Sequence, residues 1–160
     1  MNKVWKFGHF ILKISYYFYI IGISKILEKI KFKGVCITLA NLNQLKLFRN
    51  IHMRGIGGTS MSGIAEMLKH WGFHVTGSDD NSSELTDKLI DRGIPVTIGY
   101  DFNNLSKASL VVYTAAIKPD DPELLKAKEL NIPTVERADF LGEITKAFED
   151  TICISGTHGK

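Results

Sequence analysis

The stretch Gly55-Ile56-Gly57-Gly58-Thr59-Ser60-Met61-Ser62-Gly63 constrains this chain more than any other. A short apolar run over 50–53 precedes it. Ile64-Ala65-Glu66-Met67-Leu68-Lys69-His70-Trp71 follows with apolar residues at helical spacing, so the order is strand, glycine turn, helix. Such a turn is suited to an anion. Amides at a helix N-terminus lack intrahelical partners and lie at the positive end of the macrodipole, and glycines let a phosphate approach without a Cβ in the way. A second loop of this kind, Ser155-Gly156-Thr157-His158-Gly159-Lys160, stands at the far end of the chain.

Between the two loops, strand and helix patterns alternate. Ile51 to Arg54 reads as a first strand, apolar on both faces as a covered parallel strand should be, except at Arg54. Buried without a partner, Arg54 would cost several kcal/mol; the other reading points it at a phosphate. A helix from Ser60 or Met61 to Trp71 stops at Gly72, and Phe73 to Gly77 forms a second strand ending in Ser78-Asp79-Asp80. Ser82 or Ser83 caps a helix through Arg92, and Pro95 to Ile98 is a third strand. Ser109 to Tyr113 is a fourth, with Thr114-Ala115-Ala116-Ile117 at its carboxyl end. Asp121-Pro122 opens a helix over 123–130, ended by Asn131 and Pro133. Thr134-Val135 is a fifth strand, Ala138 to Phe148 a helix, and Thr151 to Ser155 a sixth strand. This alternation specifies an α/β fold, a doubly wound (Rossmann-like) parallel sheet, with ligands at the carboxyl ends of its strands.

Charge divides the chain. Residues 1–50 hold nine Lys/Arg against Glu28 alone, whereas 51–160 hold eleven against sixteen acidic residues, so the overall +3 describes neither part. Cys36 and Cys153 have no ligand spacing, which fits a reducing, cytoplasmic compartment and argues against a disulfide framework; no metal site and no nucleic-acid partner are expected. Phe7 to Leu27 is strongly apolar, but Lys13 interrupts it and its uncharged run is about half of the roughly 20 residues a bilayer span needs. Residues 1–50 are therefore an extension with three readings: a membrane contact through 7–27, an unstructured leader, or an extra packed helix.

The first loop alone is ambiguous. Gly55, Gly57 and Asp79 mimic a dinucleotide fingerprint, in which Asp79 would accept from a ribose hydroxyl, and this supports an NAD(P)-binding oxidoreductase domain. Yet Ser60 stands where the third glycine belongs, and the close-packing glycine is expected later, at Gly63. The terminal loop is a P-loop variant whose Lys160 would reach β/γ-phosphates, lacking the Ser/Thr that would follow it to hold Mg²⁺. His52, His70 and His74 share no ligand spacing and are expected to be structural. A membrane-tethered, non-catalytic nucleotide-binding module is a further reading, resting on residues 7–27.

Taken together, five motifs resemble the Mur ligases of peptidoglycan synthesis, within them the branch that adds L-alanine to UDP-N-acetylmuramate. They are Gly55 to Ala65, Gly77-Ser78-Asp79, Thr114 to Ile117, Glu136-Arg137 before Leu141-Gly142-Glu143, and Gly156 to Lys160. The resemblance implies a UDP-binding domain over 51–149 and the start of an ATP-binding domain over 150–160. It implies UDP-sugar contacts from Gly55, Gly57, Gly58, Thr59, Ser60, Met61, Ser62, Asp79, Thr114, Ala115, Ala116 and Arg137, and ATP contacts from Gly156, Thr157, His158, Gly159 and Lys160. It further implies that ATP phosphorylates the muramoyl carboxylate, with Mg²⁺ beside it, before the alanine amine attacks. Neither ATP nor Mg²⁺ is expected to bind this chain well, no catalytic set is complete, and the chain alone is expected to be inactive. Ser60, Arg54, Tyr100 after Gly99, and the basic extension depart from the family pattern.

Overall fold

The computed structural model describes Leu45, residues 47–146, Phe148 and residues 150–154. The chain divides into two compact units, Met1–Cys36 and Ile37–Lys160, and the described residues belong to the second. Residues 7–27 and the loop Gly156 to Lys160 lie outside them.

The described residues form β1 (Asn50–Arg54), α1 (Thr59–His70), β2 (His74–Asp79), α2 (Glu84–Asp91), β3 (Val96–Ile98), α3 (Phe102–Leu105), β4 (Leu110–Tyr113), α4 (Pro122–Glu129), β5 (Thr134–Glu136) and α5 (Arg137–Thr145). The five strands make one parallel sheet in the order β3-β2-β1-β4-β5, the doubly wound arrangement expected. The order reverses beside β1, and this places the glycine loop at the switch point.

Local chemistry sets the element ends. Ser83 and Thr86 cap α2 reciprocally, each side chain bonding the other's backbone amide. Asp121 accepts from Glu123 and Leu124 N–H at the start of α4, with Pro122 in its first turn. Gly72, at φ +86°, ends α1. The short helix α3 was not expected; Asp101 caps it through the Asn104 amide at 2.9 Å. Helix α5 stops at Thr145, short of Phe148, where the Thr145 hydroxyl donates back to the Gly142 carbonyl at 2.8 Å. The expected sixth strand is absent over Thr151–Ile154, where Ile152 is 90% exposed. β-prone residues alone do not make a strand without a partner ladder.

The two faces of the sheet differ in kind. Ile51, Met53, Val75, Leu110 and Val112 face one way and pack with Met61, Ile64, Ala65 and Leu68 of α1, Leu89 of α2, and Phe140 and Ile144 of α5. Leu45, upstream of the expected boundary at 51, is buried in this same core. On the other face Leu105, Val111 and Ala127, with Leu124 and Ile132 packed against them, form a smaller apolar cluster, and the buried His52, Arg54 and Ser78 are polar. Alternation along β1 explains the difference, since His52 and Arg54 point away from Ile51 and Met53.

Candidate functional site

The glycine loop is held from beneath. Gly55 and Ile56 both donate their amides to the Ser78 carbonyl, at 2.8 and 3.1 Å, and Gly57 donates to Asp79 Oδ2 at 2.8 Å. Gly55 lies at φ +78°, and a Cβ there would meet Thr114 Cγ2 at 2.6 Å. A Cβ on Gly57 would meet Thr86 Cγ2 at 2.9 Å and Asp79 Oδ2 at 3.0 Å. The close-packing role expected of Gly63 falls elsewhere. Gly63 is exposed, with nothing within 4 Å of an added Cβ, whereas one on Gly77 would meet Ile56 Cδ1 at 2.5 Å and the Met53 carbonyl at 2.6 Å. It is the side chain of Ile56, crossing over β2, that needs the space.

Above the loop, the helix end is open. Ser62 N–H donates to the Gly58 carbonyl at 2.8 Å and so begins the helical ladder. The amides of Thr59, Ser60 and Met61 precede it, and no side chain caps them. Thr59 and Ser60 are exposed, while the Met61 side chain is buried in the core and the Ser62 hydroxyl donates to the Thr59 carbonyl at 3.0 Å. Met61 thus faces the opening by backbone alone, and Ser62, whose amide and hydroxyl are both bonded within the turn, offers it no donor. From the start of α5, Arg137 Nη1 donates to Ser60 Oγ at 3.2 Å, bringing a cation to the positive end of α1. Thr114 closes the turn after β4 by accepting from Ile117 N–H at 2.9 Å, and Ala115 and Ala116 stand exposed on it.

Asp79 is bonded through both carboxylate oxygens. Its Oδ2 holds Gly57 and its Oδ1 accepts from Asn81 N–H at 3.2 Å. Behind it lies a buried polar network. Arg54 is buried and fully paired: Nε donates to Asp121 Oδ2 at 3.1 Å, Nη1 to the Gly99 carbonyl at 3.3 Å, and Nη2 to Asp80 Oδ1 at 2.5 Å. The reading that buried it alone is therefore corrected, and so is the one that aimed it at a phosphate. Desolvation would lower the Arg54 pKa, but hydrogen bonds and charge from Asp80 and Asp121 outweigh it and raise the value.

Glu123, also fully buried, accepts from Ser78 Oγ at 2.7 Å and Asp101 N–H at 2.5 Å, and lies 3.3 Å from His52 Nε2. Burial alone would raise its pKa; the bonds from His52, Asp101 and Ser78 hold it below the ordinary value instead. The other His52 nitrogen, Nδ1, is 3.0 Å from Thr76 Oγ1, so His52 is structural as expected. His70 and His74 are exposed.

The family model described as Mur ligase family, catalytic domain, matches residues 50–149, which take in the five described strands and helices α1 to α5. The chain belongs to the Mur ligase family. UDP-N-acetylmuramate–L-alanine ligases of Acetivibrio thermocellus and Clostridium botulinum are each 54% identical to it, over 113 and 112 residues, or 71% and 70% of this chain. The chain spans about a quarter of the length of these relatives, 24% in each case. Among solved structures, the UDP-N-acetylmuramate-alanine ligase of Thermotoga maritima superposes with a TM-score of 0.55 at 33% identity, covering 57% of this chain and 21% of its own. The UDP-N-acetylmuramate:L-alanyl-gamma-D-glutamyl-meso-diaminopimelate ligase of Neisseria meningitides gives 0.53 at 31%, covering 60% and 31%.

In this Mur ligase chain the structure brings Gly55, Gly57, Gly58, Thr59, Ser60, Thr114 and Arg137 to one sheet edge. Sequence reasoning missed the residues behind them: Asp80 and Asp121 as partners of Arg54, Glu123 as the partner of His52, and Asp101, whose amide donates to Glu123. A signal was present, since a strand that alternates His52 and Arg54 with Ile51 and Met53 calls for carboxylates opposite it.

Proposed function

We propose that this chain binds the UDP portion of UDP-N-acetylmuramate, with its diphosphate at the N-terminus of α1. The observation that carries the reading is the open helix end: uncapped amides of Thr59, Ser60 and Met61, with Arg137 held beside them at Ser60. Asp79 blocks the Gly57 amide and so directs an anion toward those three.

For the whole protein, the proposal is an ATP-dependent carboxylate–amine ligase that joins L-alanine to the muramoyl group during peptidoglycan synthesis, acting in the cytoplasm. Support comes from relatives of that name at 54% identity. ATP and Mg²⁺ enter through the family alone. Gly156 to Lys160 lie outside the described residues, and among the described residues no group of His, Cys, Asp or Glu could hold a metal. No described helix is long and apolar enough to cross a membrane.

Calorimetry tests the reading. The chain should bind UDP-N-acetylmuramate and not NADH, and Arg137→Ala should weaken binding by about tenfold or more, since a hydrogen bond to a charged group contributes about 1.5–3 kcal/mol. Tighter NADH binding would sink the proposal.

A further inference from the structure

Two aromatic rings stand just past β3, at the carboxyl edge of the sheet. Asp79 links them to the glycine loop: its carboxylate holds Gly57, and its carbonyl accepts from Gly99 N–H at 2.7 Å. The next residue is Tyr100, whose ring centroid lies 4.8 Å from Arg54 Cζ. Phe102 lies beside it, with centroids 6.0 Å apart and planes 25° from parallel. Both residues are about half in solvent, Tyr100 at 47% and Phe102 at 45%.

A single exposed ring is ordinary surface and calls for no explanation. This pair differs in its mounting. A cation held beside a ring is attracted to its quadrupole, and this guanidinium is itself buried and fixed by Asp80, Asp121 and the Gly99 carbonyl. Tyr100 therefore rests on a rigid base. It also sits just past β3, at the carboxyl edge of the sheet, where doubly wound folds bind ligands.

We propose that Tyr100 and Phe102, braced by Arg54, form the platform on which the planar base of the bound nucleoside diphosphate stacks. The proposal rests on the nucleotide reading above. The phosphates then belong to α1 and the base to the β3 edge, with Asp79 setting the distance between the two.

Titration of the 160-residue chain with UDP and with inorganic pyrophosphate separates the two readings. UDP should bind tighter than pyrophosphate. Tyr100→Ala should weaken UDP binding by roughly 5- to 150-fold, the range for losing one stacked base, and leave pyrophosphate unchanged. Tyr100→Phe should bind UDP as the parent does, because stacking needs the ring and not the hydroxyl. Phe102→Ala provides a second reading, and thermal melts confirm that each variant is folded. UDP affinity untouched in both alanine variants, or UDP bound no tighter than pyrophosphate, overturns the platform and leaves the phosphate site standing. Failure of the parent chain to bind either ligand overturns both.

Discussion

A methyl group added at Gly55 meets Thr114 Cγ2 at 2.6 Å on a backbone at φ +78°, while one added at Gly63 meets nothing within 4 Å. The same substitution should therefore have opposite signs eight positions apart along one loop and helix. Gly55→Ala combines left-handed strain with a clash and should cost about 1–3 kcal/mol. Gly63→Ala, on the exposed side of α1, should gain about 0.5–1 kcal/mol by restricting the unfolded chain. Urea melts of the two variants check both signs, and a destabilised Gly63→Ala would refute the packing described for α1. From sequence the two glycines look alike. Their difference lies in what faces them across the sheet edge, which spacing does not encode.

Among the elements, the union of α4 with β1 and β2 carries the least expected chemistry. Its Glu123 carboxylate has a folded pKa below its ordinary 4.5, so it contributes stability that is present above about pH 4.5 and lost as pH falls through the folded value. Asp101 acts in the same direction. Burial would raise its pKa, but bonds from Asn104 and Thr97 and the charge of His52 lower it. Stability measured in urea should thus fall as the pH drops below about 4.5. Glu123→Gln should flatten that limb and cost about 3–5 kcal/mol at pH 7, because His52 and Arg54 lose a buried partner. An unchanged acid limb in this variant would assign the loss to other carboxylates.

The elements themselves were largely legible. Alternation of apolar runs with capped helical segments located all five strands of the sheet within a residue or two, and Asp121-Pro122 and Gly72 marked helix ends correctly. What escaped was tertiary. Arg54 looked like an intruder in a covered strand because its partners come from three separate elements. Helix α3 is too short to show a period, and Asp101, its cap, gave the one available signal.

For the molecule as a whole, apolar surface is unevenly placed. Ile152 and Ile154 are 90% and 84% exposed on a segment that forms no described strand. Exposed β-prone segments with little charge favour association between chains. Ile152→Asp with Ile154→Asp should therefore reduce concentration-dependent association of the 160-residue chain in sedimentation while leaving its melting temperature unchanged. A drop in melting temperature would mean that the segment packs on the sheet after all.

The bond from Asp79 to Gly57 bears on energetics as well as shape. A flexible phosphate loop must lose conformational freedom as its ligand arrives, and that loss subtracts from affinity. Here Ser78 and Asp79 already fix the loop from below, and Thr114 closes it from the side. The entropic cost of shaping the cradle thus falls on folding rather than on binding, and an arriving diphosphate meets a mould already set.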